Sequence, residues 1–291
     1  MKQVLFVANL KKDKELRYSK EIIDSLVERN IDVFVVTKEL EISSKTKYIE
    51  FDAIKQMDLL LVLGGDGTIL VNARKFEKFN LPIIGINLGR VGALAVAELD
   101  NYQKFIDEYL NDNFAVANHL VLDGQIVHAN NEVEEFFAFN DVVLHRGLSP
   151  KILGTKITIN STHFSDVYAD GIIISTPIGS SAYNLSAGGP LLLPSSNSFV
   201  ITPICHQTKT FSSLVVSKDD TVRLMVNKNH SVGLNQNVVT VDGDFSYPIN
   251  EDDVVIIKKS DKNLKLIQFS QQGTAYESPY KSVVLINRKD L

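Results

Sequence analysis

The stretch Asp58 to Leu70, DLLLVLGGDGTIL, constrains this chain more than any other. Leu59 to Leu63 is continuously apolar and stops at two glycines, the pattern of a strand buried on both faces of a parallel sheet. Gly64, Gly65 and Gly67 let the backbone turn tightly and approach a ligand, because glycine has no Cβ to clash. Thr68 is placed to cap a following helix through Ile69, Leu70 and Ala73, whose amino end would face the same crevice. Asp66 is the only charge in the turn. A phosphate cradle would not ordinarily hold a carboxylate, because like charges repel. Its presence points to a chemical role, either accepting a hydroxyl proton or holding a metal that binds phosphate. The plainer alternative is a tight turn that uses aspartate for local hydrogen bonds.

The rest of the first hundred residues fits this stretch. Val4 to Val7 and Ile31 to Val36 read as strands, with a helix between them carrying Ile22, Ile23, Leu26 and Val27 on one face. Glu39 to Glu50 reads as a polar connection. Ile83 to Ile86 is a further strand, followed by the glycine-bearing loop Asn87 to Ala95, NLGRVGALA, in which Arg90 could reach a phosphate. Tyr102, Phe105, Ile106, Tyr109 and Leu110 mark an amphipathic helix. Strand and helix alternate, so an α/β domain with a parallel, Rossmann-like sheet is expected over 1–111. Neither the dinucleotide glycine fingerprint nor the P-loop lysine signature follows any of these strands.

From about residue 112 the segments shorten and alternate with a period of two, as in Ile157 and Ile159 or Val222, Leu224 and Val226. Polar turns such as Asp242-Gly243-Asp244 separate them. An all-β second domain over 112–274 is expected. With 291 residues, 44% of them apolar, the chain can fill two cores. A net charge of −5 argues against a broad nucleic-acid or anionic-membrane surface. The one cysteine, Cys205, allows no intrachain disulfide and reads as a buried small hydrophobe. No window reaches the ~18 apolar residues of a membrane span, and the amino terminus reads as a first strand rather than a signal peptide, so a cytoplasmic protein is expected.

Two further constellations carry chemistry. Asn140 and Asp141 stand together where the apolar run Phe136 to Phe139 breaks. An amide beside a carboxylate offers donors and acceptors suited to adenine edges or ribose hydroxyls, and a strand-end turn is the alternative. The second is Asp170 to Pro190, DGIIISTPIGSSAYNLSAGGP. After a three-isoleucine strand it turns small and hydroxylated, with Ser175, Thr176, Ser180, Ser181 and Ser186. Pro177, Tyr183, Leu185 and Pro190 suggest a fixed shape rather than a linker. Backbone amides and hydroxyls would line a groove, with Tyr183 as an aromatic wall for a base.

In combination and order, the GGDGT turn, the NLGRVG loop, Asn140-Asp141 and the Asp170–Pro190 run resemble the NAD kinases. These enzymes phosphorylate the 2′-hydroxyl of the adenosine ribose of NAD to give NADP. The resemblance implies a catalytic role for Asp66. It implies phosphate or ATP contacts from Gly64, Gly65, Gly67, Thr68 and Arg90. An NAD site is implied at Asp66, Gly67, Asn140, Asp141, Asp170, Thr176, Ser181, Ala182, Tyr183 and Ser186. It further implies an α/β domain plus a β-sandwich, with the tail at 275–291 returning to the first domain. ATP and NAD would be the substrates, and Mg²⁺ or another divalent cation would arrive with ATP rather than in a protein metal site. Family members are usually homodimers or homotetramers in which a neighbouring subunit completes the site.

Departures from the family pattern at four positions bear on the pocket. Asp141 replaces a frequent glutamate and is one methylene shorter. Ile178 and Ser181 stand where threonine is frequent, and Ala93 where phenylalanine is. The rival readings are a lipid or sugar-phosphate kinase built on a similar GGDG turn, and a non-catalytic dinucleotide sensor.

Overall fold

The structure, a computed structural model, describes residues 2–42, 46–54, 57–89, 92–207, 212–227 and 237–269. The described chain forms two compact units, one of residues 2–118 with 264–269, the other His119–Asn263.

The first unit holds strands β1 (Gln3–Ala8), β2 (Asp32–Val35), β3 (Thr46–Tyr48), β4 (Leu59–Leu63), β5 (Ile83–Asn87) and β6 (Ala97–Glu98). Helices α1 (Arg17–Glu28), α2 (Asp66–Lys75) and α3 (Tyr102–Leu110) accompany them. The sheet runs β5-β4-β1-β2-β3 and every pairing along it is parallel. β4 and β5 are buried at every position, as strands covered on both faces must be. The apolar face of α1, Ile22, Ile23 and Leu26, packs into the same core as Val4, Phe6, Leu61 and Ile84. Ala8 pairs with Leu63, and Leu63 with Ile86, so the carboxyl ends of β1, β4 and β5 lie side by side. That edge is where open parallel sheets receive ligands.

The second unit begins within β7 (Ala115–Val127) and continues with β8 (Val133–Ala138), β9 (Asp141–His145), β10 (Leu153–Ile159), β11 (Thr162–Ala169) and β12 (Gly171–Ser175). A single helical turn, α4 (Tyr183–Ser186), precedes β13 (Ser198–Ile204), β14 (Leu214–Ser217), β15 (Thr221–Val226), β16 (Asn237–Val241), β17 (Phe245–Ile249) and β18 (Val254–Gln268). One antiparallel sheet runs β14-β13-β12-β9-β16-β17. A second antiparallel run is β11-β10-β15-β18, and β7 pairs with β8. One apolar cluster takes Val142, Leu144, Ile172 and Ile174 from the first sheet and Ile157, Leu224 and Val255 from the second. This is the core of a β-sandwich. The far end of β18 returns to the first unit, where Leu266 pairs in parallel with Ile83.

Several expectations change. The polar connection over 39–50 contains β3, a three-residue strand at the sheet edge. Strands that short show no periodicity to read. The change of character expected near residue 112 falls at the Asn118/His119 divide, because β7 starts inside the first unit. Cys205 is exposed, not buried. The apolar strand before it ends at Ile204, and Cys205 takes a left-handed turn conformation, φ 48°, just beyond. Arg90 and the tail at 275–291 lie outside the described residues.

Candidate active site

In the first unit, the end of β4 delivers Gly64 and Gly65, and α2 begins at Asp66. The turn is fastened on both sides. The Gly64 N–H donates to the Ile86 carbonyl at 2.9 Å, and the Asn9 side-chain amide donates to Thr68 Oγ1 at 3.0 Å. Thr68 is therefore engaged by the end of β1, and no side-chain cap forms at the helix start. The Asp66 carboxylate reaches across to the loop after β5. Its Oδ2 accepts the Ala93 N–H at 2.7 Å and its Oδ1 accepts the Leu94 N–H at 3.1 Å. Gly92 makes this approach possible, since a Cβ there would overlap the carboxylate. A carboxylate has about four acceptor positions, so room remains for a hydroxyl.

In the second unit, the two sequence constellations come together. β9 and β12 pair with Asp141 opposite Ser175. The Thr176 N–H donates to the Asn140 carbonyl at 2.9 Å, and Thr176 Oγ1 donates to the Phe139 carbonyl at 2.6 Å. Gly179 packs so closely that a Cβ would overlap the Asn140 backbone. Asp242, in the β16–β17 turn, binds the same segment from the other side. Its Oδ2 accepts the Phe139 N–H at 2.9 Å, and its Oδ1 accepts those of Asn140 at 2.7 Å and Asp141 at 3.1 Å. Nothing local marks Asp242 in the sequence, where it reads as one residue of a polar turn. Burial, then the charge of Asp242, raises the Asp141 carboxyl to about 7.

The hydroxyl-rich run does not line a groove as a whole. Ser175, Thr176 and Ser180 are completely buried, and their hydroxyls bond to backbone groups of the same fold. Thr176 also accepts the Gly179 N–H at 3.0 Å, so its hydroxyl both donates and accepts internally. It shapes the site rather than facing it. Ile178 is likewise in the core, 5% exposed. Ala182, Tyr183 and Ser186 are exposed, and Ser181 is half-buried.

Asp170 stands apart. It precedes β12, five residues before Ser175, roughly 17 Å along an extended strand. There the Arg146 Nε donates to its Oδ1 at 2.8 Å, an ion pair with no obvious sequence signal. Burial first, then the charges of Cys205, Asp141 and Asp170, raise the Tyr183 phenol.

The profile of the ATP-NAD kinase N-terminal domain matches residues 4–114, and that of the ATP-NAD kinase C-terminal domain matches 139–269. The NAD kinase of Thermoanaerobacter sp. (strain X514) is 34% identical over 274 residues, covering 92% of this chain and 94% of the relative. The chain belongs to the NAD kinase family. The NAD kinase of Lachnoclostridium phytofermentans is 35% identical over 272 residues, with 92% and 94% coverage. Among solved structures, yeast NADH kinase complexed with NADH superposes with a TM-score of 0.87 over 99% of this chain and 88% of that one, at 22% identity. The NAD kinase from Archaeoglobus fulgidus in complex with ATP gives 0.72 over 97% and 98%, also at 22%. These two likenesses carry the fold, an α/β unit and an antiparallel β-sandwich, and the close relatives carry the family. Family membership makes the chain a kinase, with phosphoryl transfer to NAD as its reaction, and sets aside the lipid-kinase and sensor readings.

Proposed function

We propose that the chain transfers the terminal phosphoryl group of ATP to the 2′-hydroxyl of the adenosine ribose of NAD, giving NADP, with Asp66 as general base. The observation that supports this role is the Asp66 carboxylate itself, fixed at the start of α2 by the Ala93 and Leu94 amides, at a sheet edge suited to ligands. In the reaction Asp66 takes the proton of the ribose hydroxyl while that oxygen bonds to the γ-phosphorus. The bond from phosphorus to the β,γ-bridging oxygen breaks, and ADP leaves with the electron pair. The proton then passes from Asp66 to solvent. Phosphoryl transfer needs little more from a protein than positioning and charge neutralisation.

The donor phosphates are assigned to the turn of Gly64, Gly65, Gly67 and Thr68. A divalent cation, Mg²⁺ by preference, is read as part of the nucleotide substrate. The oxygens of a triphosphate supply most of that cation's ligands. The adenosine portion of NAD is assigned to Asn140 and Asp141, with Ser181, Ala182, Tyr183 and Ser186 beside them. Asp170, at the opposite end of β12, is read as serving the dinucleotide of a second copy, which goes with a homodimer or homotetramer. Purified protein with ATP, Mg²⁺ and NAD, scored for NADP by mass, tests the reading; absence of NADP would overturn it.

A further inference from the structure

The end of β1 carries a cation that the functional reading has not used. Lys12 sits in a turn anchored at several points. The Asn9 N–H donates to the Leu63 carbonyl at 2.9 Å, and the Asn9 carbonyl accepts the Lys12 and Asp13 N–H groups, each at 3.0 Å. Asp13 is buried, and its carboxylate takes the N–H groups of Tyr18 at 3.0 Å and Ser19 at 2.8 Å together with the Ser19 hydroxyl. This ties the turn to the start of α1. The Asn9 side chain meanwhile holds Thr68 of the glycine turn. The Lys12 backbone is thus fixed relative to the end of β4.

Its side chain extends over that end. The ammonium stands 3.8 Å from where a Cβ on Gly65 would sit, and 3.8 Å from the same point on Gly89. Gly65 belongs to the glycine turn and Gly89 to the loop after β5, so the cation sits over a gap that two residues without side chains leave open. Gly89 has φ 129°, a conformation that disfavours any side chain there. Among the described residues Lys12 makes no ion pair or side-chain hydrogen bond. An ordinary surface lysine gains nothing by standing over bare backbone, whereas a phosphate entering the gap would meet its three donors.

We infer that Lys12 binds the donor's phosphate chain, placing a fixed positive charge over the glycine turn where P-loop enzymes use a lysine from their own motif. The inference rests on the assignment of that turn to the donor. Lys12 would neutralise charge that the cation accompanying ATP leaves exposed, and would hold the γ-phosphoryl group against Asp66. A point charge on a flexible stem suits this role, because the phosphate chain moves as transfer proceeds.

The test compares parent, Lys12→Met and Lys12→Arg, each first matched for melting temperature. Lys12→Met should raise the KM for Mg·ATP at least about ten-fold while the KM for NAD stays within about two-fold, and Lys12→Arg should recover most of the difference. Inorganic tripolyphosphate, titrated calorimetrically without ATP, should bind the parent and weaken by a similar factor in Lys12→Met. An unchanged KM for Mg·ATP, or equal rises for both substrates, would overturn the inference. So would tripolyphosphate binding that ignores the substitution. A parent that makes no NADP would instead overturn the functional reading, and the tripolyphosphate titration would still decide whether Lys12 holds phosphate.

Discussion

Asp141 and Asp242 hold each other by two hydrogen bonds: the Asp141 N–H donates to the Asp242 side-chain Oδ1 at 3.1 Å, and the Asp242 N–H returns to the Asp141 carbonyl at 3.0 Å. The exchange brings two carboxyl groups into one electrostatic neighbourhood. Asp242 satisfies three backbone donors. Asp141 is buried beside it and its pKa is raised to about 7, with burial the larger cause. A carboxyl protonated in the folded chain can donate a hydrogen bond as well as accept one, which an adenine or ribose could use.

The pH dependence follows from the direction of that shift. An unfolded aspartate titrates near pH ~3.9. Between that value and about pH 7 the folded chain holds a proton that the unfolded chain has lost, so stability from Asp141 falls as pH rises through this window. It is constant below and above. Asp141→Asn abolishes the effect. Thermal melts should show the variant gaining on the parent between pH 4.5 and pH 7.5, with no further gain by pH 8.5. Parallel curves for the two proteins would contradict a raised Asp141.

His119 predicts the opposite slope. It is 5% exposed in the second unit, neither ring nitrogen has a well-formed hydrogen bond among the described residues, and burial lowers its pKa to about 4, with the Pro194 backbone opposing. Between about pH 4 and the unfolded value near ~6.5, the unfolded chain binds the proton and the folded chain does not, so stability is lost as pH falls. His119→Leu removes both the ring nitrogens and the titration. The variant should melt no lower than the parent at pH 7.5 and clearly higher at pH 5. A leucine variant that melts lower at both values would mean that the imidazole makes a bond which leucine cannot replace.

Much of this was legible in the chain. Leu59 to Leu63 is an unbroken apolar run that ends at glycines, and it is a strand buried at every position, as that pattern suggested. The two-residue alternation at Ile157 and Ile159 became β10 as expected. The failures have a common physical cause: a side chain's partner can lie far away in sequence. Asp242 binds Asn140 and Asp141 from a turn about a hundred positions later. Lys12 stands in the lysine-rich run after the first strand, and only the adjacency of β1 and β4 brings it over Gly65. Hydroxyl composition also misled. Ser175, Thr176 and Ser180 resemble a ligand-lining run, yet a turn this compact must satisfy its own buried carbonyls and amides, and those hydroxyls do so.

Thr176 gives a direct test of that last point. Thr176→Val keeps the shape and removes the hydroxyl, leaving the Phe139 carbonyl without its donor and the Gly179 N–H without its acceptor. Leaving buried polar groups unmet costs about 1–3 kcal/mol, which should lower the melting temperature by several degrees. The KM for NAD should rise less than in Asn140→Ala. A valine variant with parental melting temperature and a sharply raised KM for NAD would show that the hydroxyl meets the ligand.

The role of Asp66 is tested by Asp66→Asn. If the side chain only fastened α2 to the loop after β5, the amide would largely suffice, since its oxygen can still accept the Ala93 or Leu94 N–H. Some stability should nonetheless be lost, because one of the two acceptor oxygens becomes an NH₂ group facing a donor. Catalysis responds differently. An amide cannot take the proton of the ribose hydroxyl, and general bases contribute ~10²–10⁴-fold, so kcat should fall by about that factor. The Kd for NAD should change little, because the amide keeps an oxygen for the ribose hydroxyl. Measuring kcat by NADP formation and Kd by calorimetry, with the melting temperature recorded alongside, separates the two roles. A variant retaining more than about a tenth of parental kcat would be too active for a lost general base, and Asp66 would then stand as the clasp between α2 and the loop alone.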